Sequence, residues 1–388
     1  MKKKNLKSNL DEIYPILIGA WRRFNKESGP SEKLQTREFR RVVQSTKTLK
    51  EIFDKQAFDP NTHYFENSQL LSDYLLYFWP LYYQEALSVI GEIPTTPKRV
   101  LDIGAGLAPF SFAALRHGAT EVFATDQFMP PLQLGAEICG KYGLPLTIRK
   151  WDCHTSCPIE GTFDLIILGH SLQEIFARNQ KGWRERQNAF IQDLLHNKLS
   201  KNGYLLIVDS SLNETNQSIL QIRDHFVSQG VPVQAPCVWK GECPALKTQN
   251  SPCYAQREME KPYLLKEIQR GMDYHLNSLK MSYIIFKNPQ SSWPNNGETP
   301  LYRIISPPVE AFNTNKYYLC GTDGKKTLSN RLEQTPKQAK AFDYLKRGEL
   351  IEVSQALNRQ NALDITEETE IKVVAAIGKP LAIEDINE

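Results

Sequence analysis

Four of the seven cysteines, Cys237, Cys243, Cys253 and Cys320, stand where thiols could act together. The first three fall within 17 residues, in APCVWKGECPAL and NSPCYAQRE, with Pro236, Pro244 and Pro252 beside them and Gly241 between. Proline and glycine keep such a stretch out of helix and strand, so the thiols can converge from an irregular loop. A loop of this kind buries little apolar surface by itself. A metal centre would supply the missing stability, because ligand binding and folding are coupled. Neither a CxxC pair nor a zinc-ribbon CxxC…CxxC spacing is present. Spacings of six, ten and 67 suit a cluster wrapped by loops, as in all-cysteine 4Fe-4S centres, and leave zinc open. Unrelated buried thiols are the plain alternative. Cys153 and Cys157, in WDCHTSCP, read as pocket lining ahead of a second metal site with His154, and Cys139 as a buried helical residue.

A second constellation surrounds a glycine loop. The run VLDIGAGLAP, residues 100–109, takes an apolar strand into Gly104-x-Gly106 and then into a helix starting near Pro109. Glycine permits the tight turn and the close backbone approach, and a helix N-terminus offers free amides to a polar ligand. Asp102 sits at the carboxyl end of the strand, where α/β sheets bind ligands. Asp126, 24 residues on, closes the next strand, where a carboxylate can accept both ribose hydroxyls. Asp152 follows the third strand, at a place for the adenine edge. The fourth strand, FDLIILGHSLQEI, runs out into Gly169 and His170, with Glu174 one helical turn beyond. His170 and Glu174 are the titratable candidates for catalysis, although a histidine satisfying a neighbouring carbonyl is at least as common.

Ala108 replaces the third glycine of a dinucleotide fingerprint, and no second nucleotide-binding half follows. S-adenosylmethionine, which has no pyrophosphate, is therefore expected over NAD. The D-x-G-x-G loop with an acidic residue closing the second strand resembles class I methyltransferases. The fourth strand does not end in N-P-P-[YF], and no cysteine follows proline or threonine at strand four or five. A fold that keeps the cofactor loop without the reaction is the competing reading.

These residues need a scaffold. The 388 residues are 41% hydrophobic and 23% charged, an ordinary globular composition with length for two or three domains. Strands at Arg99–Ile103, 120–125, 145–150, 163–168 and 204–209 alternate with helix-length segments, which predicts a parallel sheet covered on both faces. Residues 180–200 read as a crossover helix stopping near Asn202-Gly203. Residues 1–95 read as a helical region, 96–290 as the methyltransferase-like domain with a cysteine-rich insertion at 231–253, 291–360 as a small β-containing element and 361–388 as an acidic tail. The aromatic stretch LLSDYLLYFWPLYY, residues 70–83, reads as a helix packed on the next domain, interrupted at Pro80.

The net charge of +3 implies no partner, but residues 1–55 carry 14 Lys or Arg against 7 Asp or Glu, and the remainder 33 against 37. A basic arm on an acidic body suits a nucleic acid or a ribosome, with a solvated helical surface as the alternative. No apolar run approaches the roughly 18–20 residues of a membrane span, so no membrane partner is expected. No apolar h-region follows Met1, and Asp11 and Glu12 precede the first arginine, Arg22. Neither a secretory signal nor a transit peptide matches. A bacterial cytoplasm is expected, with the mitochondrial matrix as alternative.

The glycine loop, GHSLQEI, APC…ECP…SPC, SYIIFK, YYLCGTDG and FDYLKRGELIEV occur in that order. Together they resemble the methyltransferase-like family of ribosomal small-subunit proteins, which has mitochondrial and bacterial members. The resemblance spans roughly residues 60–353, and the ordered cysteines are its most specific part. It implies a class I S-adenosylmethionine-dependent methyltransferase fold, Rossmann-like, and a 4Fe-4S cluster on Cys237, Cys243, Cys253 and Cys320. It also implies binding to the small subunit or its rRNA during assembly, in support of translation. Asp209 closes strand five where an acidic-proline pair is commoner, and the basic helices lie outside the shared motifs.

Overall fold

The computed structural model describes residues 7–54, 64–247, 252–294, 299–311 and 314–381. Lys2, Lys3, Lys4 and Lys55 of the basic stretch and residues 382–388 of the expected tail lie outside them. Three helices open the chain: α1 (Leu10–Asn25), α2 (Thr36–Asp54) and α3 (Ser68–Ile90). In α1 the apolar residues Leu10, Ile13, Leu17 and Trp21 recur every three or four positions, and all are fully buried. Asn67 starts α3 by accepting from the amides of Gln69 and Leu70. Pro80 does not interrupt α3 as expected. The carbonyl of Leu76, which a proline four residues later leaves without its amide partner, accepts from the Tyr14 hydroxyl at 3.2 Å. The stretch expected as a basic arm is thus a pair of packed helices. Several of its cations are engaged, Arg22 with Glu38, Arg23 with Glu137 and Arg41 with Glu27.

The first sheet follows, with β1 (Arg99–Ile103), α4 (Pro109–Arg116), β2 (Glu121–Asp126), α5 (Met129–Lys141), β3 (Thr147–Lys150) and β4 (Phe163–Gly169). Next come α6 (Leu172–Ile175), α7 (Trp183–Asp193), β5 (Leu199–Ser210), α8 (Asn213–Ser228), β6 (Val233–Ala235), β7 (Ala255–Arg257), α9 (Tyr263–Met272) and β8 (Leu279–Lys287). The strand order is β3-β2-β1-β4-β5-β8-β6, with β7 also on β8. This is the class I methyltransferase fold, a Rossmann-like sheet with helices on its faces. The sheet is mixed rather than wholly parallel, since β8 runs antiparallel to β5, β6 and β7. A strand as apolar as SYIIFK looks alike in either direction, so its pattern could not reveal this. The crossover helix ends earlier than expected: α7 stops at Asp193, a π turn covers 194–198, and β5 begins at Leu199.

A second sheet contains β9 (Leu301–Ile304), β10 (Val309–Ala311), β11 (Thr314–Gly321), β12 (Gly324–Asn330), β13 (Leu350–Ser354), β14 (Leu357–Arg359), β15 (Ala362–Asp364) and β16 (Glu370–Ala375). Its order is β14-β15-β12-β11-β9-β13-β16, with β10 beside β11. The acidic tail expected from residue 361 instead supplies β15 and β16. Its charged residues are interspersed with Leu363, Ile365 and Ile371, which join Tyr302, Leu319, Leu328 and Phe342 in the core of this sheet. The two sheets meet through Val238, Leu301, Leu350 and Ala375. Among the described residues no helix is long and apolar enough to cross a membrane.

Candidate functional site

The carboxyl ends of β1, β2 and β4 open on a cavity of about 300 Å³. Asp102, Gly104, Gly106, Asp126, Asp152, Gly169, His170 and Glu174 all line it. Gly104 and Gly106 have φ of +66° and +52°, a region costly for any residue with a Cβ. A Cβ at Gly104 would stand 2.5 Å from that of Ser171, and one at Gly169 would stand 2.6 Å from the Phe110 ring. The loop is tied down from below. Ala105 N donates to Thr125 O at 2.9 Å, Gly106 N donates to Asp126 Oδ2 at 2.9 Å, and the Ser171 hydroxyl donates to Ile103 O at 2.8 Å. Asp126 Oδ1 accepts from Phe128 N, and Asp152 Oδ1 from His154 N.

Among the described residues five carboxylates line the cavity, and burial makes Asp102, Asp126, Glu174 and Asp209 reluctant to ionise. It pushes Asp102 up to about 7 against the opposing Ser111 hydroxyl, which donates at 2.6 Å. It pushes Asp126 up to about 6 and Glu174 up to about 8, although the Tyr64 hydroxyl donates to Glu174 at 3.0 Å. His170 is held firmly. Its Nε2 lies 2.7 Å from Glu85 Oε2 and its Nδ1 3.8 Å from Asp209 Oδ1, and its ring stacks on Tyr82 with centroids 3.9 Å apart. Burial opposes the imidazolium, but the bond and charge of Glu85 together with Asp209 outweigh it and raise His170 above its ordinary value. Asp209 Oδ2 is buried with no hydrogen-bond partner among the described residues.

Sequence reasoning missed Glu85 and the role of Asp209, because one comes from α3 and the other from β5, and only folding places both beside His170. It also missed the aromatic wall, in which Tyr64, Phe65, Tyr74 and Tyr82 of the helical region line the same cavity. The density of aromatic residues at 70–83 was the signal available.

The four cysteines come from both sheets. Cys237 and Cys243 follow β6, Cys253 precedes β7, and Cys320 lies on β11. Each of Cys243, Cys253 and Cys320 feels its neighbours. Burial and the charge Cys237 would carry push Cys243 up to about 11, and burial with Cys237 and Cys243 pushes Cys253 up to about 12. Burial, then the charges Cys237, Cys253 and Cys243 would carry, holds the Cys320 thiol well above its usual range. The fold therefore gathers all four within electrostatic reach of one another. Among the described residues, no group of three or more His, Cys, Asp or Glu is arranged to hold a metal ion. All seven cysteines are free thiols. Cys153 lines the cavity, while Cys157 packs against the sheet core and Cys139 is buried in α5.

Helix α8 and strand β9 grip the cysteine segment by its backbone. Arg223 donates to the carbonyls of Trp239 and Gly241, and Asp224 accepts from Cys243 N at 2.9 Å. Asn216 Nδ2 donates to Cys253 O at 2.7 Å, and Arg303 Nε donates to Pro236 O at 3.0 Å. The spacing of the cysteines gave no hint of these four residues.

Among solved structures, a plantazolicin methyltransferase in complex with SAH is 12% identical, matches 72% of this chain and 98% of its own, and has a TM-score of 0.33. A methyltransferase from Pyrococcus furiosus is 11% identical over 53% of this chain and 82% of its own, with a TM-score of 0.34. A ribosomal protein L11 methylase from Lactobacillus delbrueckii subsp. bulgaricus is 20% identical over 39% and 70%, with a TM-score of 0.30. No curated protein matches the chain. The family model described as mitochondrial small ribosomal subunit Rsm22 matches residues 85–348, from the end of α3 to the turn before β13. That match spans well over half of the 388 residues and takes in both the glycine loop and all four converging cysteines, so the chain belongs to the Rsm22 family.

Proposed function

We propose that this protein binds S-adenosylmethionine and acts on or with the ribosomal small subunit, in rRNA methylation or subunit assembly. We also propose that it carries a 4Fe-4S cluster on Cys237, Cys243, Cys253 and Cys320. The cofactor reading rests on the convergence of six residues, Asp102, Gly104, Gly106, Asp126, Asp152 and Gly169, on one cavity at the strand ends. The residues fit the ligand: Gly104 and Gly106 hold a positive-φ turn at the cavity, and Asp126 and Asp152 line it as hydrogen-bond acceptors. When bound, S-adenosylmethionine supplies an electrophilic methyl group on a sulfonium. In this reading Asp126 holds the ribose hydroxyls, the backbone at Gly104–Gly106 meets the amino-acid end, and Asp152 lies at the adenine edge. His170 and Glu174 remain the candidates for moving a proton.

The donor set fits a cluster. Four thiolates could each bind one iron of a four-iron cluster, or all share one zinc ion. The four thiols act on one another through the charges they would carry, and their soft sulfur donors are of the type that binds such clusters. Arg347 and Lys325, which oppose the rise of Cys253, would offset the negative charge of the assembly.

A non-catalytic assembly factor is the second reading. It is favoured by the engagement of both candidate acid–base groups, His170 between Glu85 and Asp209, and Glu174 with Tyr64. The family description favours the mitochondrial matrix over the bacterial cytoplasm. Anaerobic purification followed by an absorption spectrum and iron, sulfide and zinc analysis tests the cluster. Four irons and four sulfides per chain are expected, and stoichiometric zinc without sulfide would overturn it. Calorimetry tests the cofactor, with micromolar binding expected and no heat the overturning result.

A further inference from the structure

The second sheet turns one face to its own core; the other packs on the first sheet at β9 and β13, through Leu301 and Leu350, and is exposed towards Tyr318, Leu357 and Arg359. Tyr317 and Leu319 of β11 and Leu328 of β12 pack inward. The alternate residues Lys316, Tyr318 and Cys320 lie opposite Ser329, Thr327 and Lys325, so all six share the other face. Tyr318 is 37% exposed at its centre, with Lys316 Nζ 5.6 Å and Lys325 Nζ 5.8 Å from its ring centroid. The register carries this face onward: Thr327 pairs with Ala362 of β15, which pairs with Arg359 of β14. The carboxylate here, Asp364, pairs with Arg359 at 2.9 Å and stands 3.9 Å from Arg331. Leu357, 51% exposed, lies opposite Asp364. At the far end Lys325 sits across from Cys320, and Arg347 and Lys325 both act on Cys253.

We propose that the exposed part of this face binds single-stranded RNA, a base stacking on Tyr318 while Lys316 and Lys325 take the flanking phosphates. The proposal names the surface for the RNA partner of the ribosomal reading and rests on that reading. Two lysines over an exposed aromatic ring can leave it for phosphates while a base takes their place on its π-face, a mode that selects no sequence. A duplex, with its base faces stacked inside, could use the cations alone. An apolar protein partner is disfavoured by the lysines that flank the ring.

The test uses the full chain, purified anaerobically, and a fluorescently labelled 12-nucleotide single-stranded RNA read by anisotropy. Tyr318→Ala should weaken binding about tenfold, the scale of losing one stacked base. Tyr318→Phe should keep it, because the π-face remains. Lys316→Ala combined with Lys325→Ala should lower the slope of log affinity against log salt by about 1.4, near 0.7 for each lost phosphate contact. Unchanged affinity in Tyr318→Ala, an unchanged salt slope in the double variant, or no binding of the oligomer by the unsubstituted protein would each overturn the proposal. The ribosomal reading is tested separately by co-sedimentation with purified small subunits. If the unsubstituted protein fails to sediment with them, that reading falls, whatever the oligomer does.

Discussion

At the glycine loop each turn is bound to a neighbouring strand end by a backbone or side-chain hydrogen bond within the same sheet. At the cysteine group three thiols come from the loop between β6 and β7 and the fourth from β11 of the second sheet, and side chains of α8 and β9 hold the loop by its backbone carbonyls and amides. The first region is finished by ordinary strand and helix geometry. The second gathers four thiols, three of which burial and their neighbours hold strongly protonated, an arrangement that gains most from a ligand able to take thiolates. A pocket shaped by strand ends and a group of buried thiols thus share a chain and should fail differently.

The largest effect should come from Cys320→Ser. If Cys320 is the fourth ligand, the cluster joins the second sheet to the first, and the variant should lose most of its iron and show new protease cuts within residues 299–353. S-adenosylmethionine binding should persist, since the parallel strands have their own core. Full iron and an unaltered protease pattern would leave the four-cysteine arrangement wrong and the two regions alike.

Gly104→Val reverses that experiment. The new side chain would clash with Ser171 and force a β-branched residue into a left-handed conformation, for a combined cost of about 2–4 kcal/mol. Thermal unfolding should shift down and cofactor binding should disappear, with iron content unchanged. Co-loss of iron would show that the sites are coupled.

Asp126→Ala is a finer cut. If Asp126 holds the ribose, removing its carboxylate should cost about 1.5–3 kcal/mol, tenfold or more in affinity by calorimetry. Unaltered affinity would remove Asp126 from the site.

The smallest effect concerns pH. Asp102 and Glu174 titrate at about 7 and about 8 in the fold, above their unfolded values of about 3.9 and 4.3. Between those values the folded state keeps protons that the unfolded chain has released, so stability falls as pH rises towards 8. Urea midpoints from pH 5.5 to 8.5 should decline, and Asp102→Asn should flatten the decline. A flat profile in the unsubstituted protein would mean that the cavity is wetter than its burial implies.

The strands of the first sheet, the glycine turn and the acidic residues at the strand ends were legible in the linear chain. Each depends on neighbours a few positions away: apolar runs, glycine before a helix, a carboxylate at a strand's last residue. The reach of the helical region into the cavity was not legible, nor were the direction of β8 and the conversion of an acidic tail into β15 and β16. Pairing partners there lie far apart in sequence, and a strand's composition does not specify which edge it will join. The four cysteines fall between these cases. Their residue type and order along the chain are sequence properties, and so is the loop chemistry that leaves them unconstrained. Whether the thiols come within electrostatic reach was decided only by folding, because Cys320 is brought towards Cys237, Cys243 and Cys253 by the docking of one sheet against another, which no local pattern encodes.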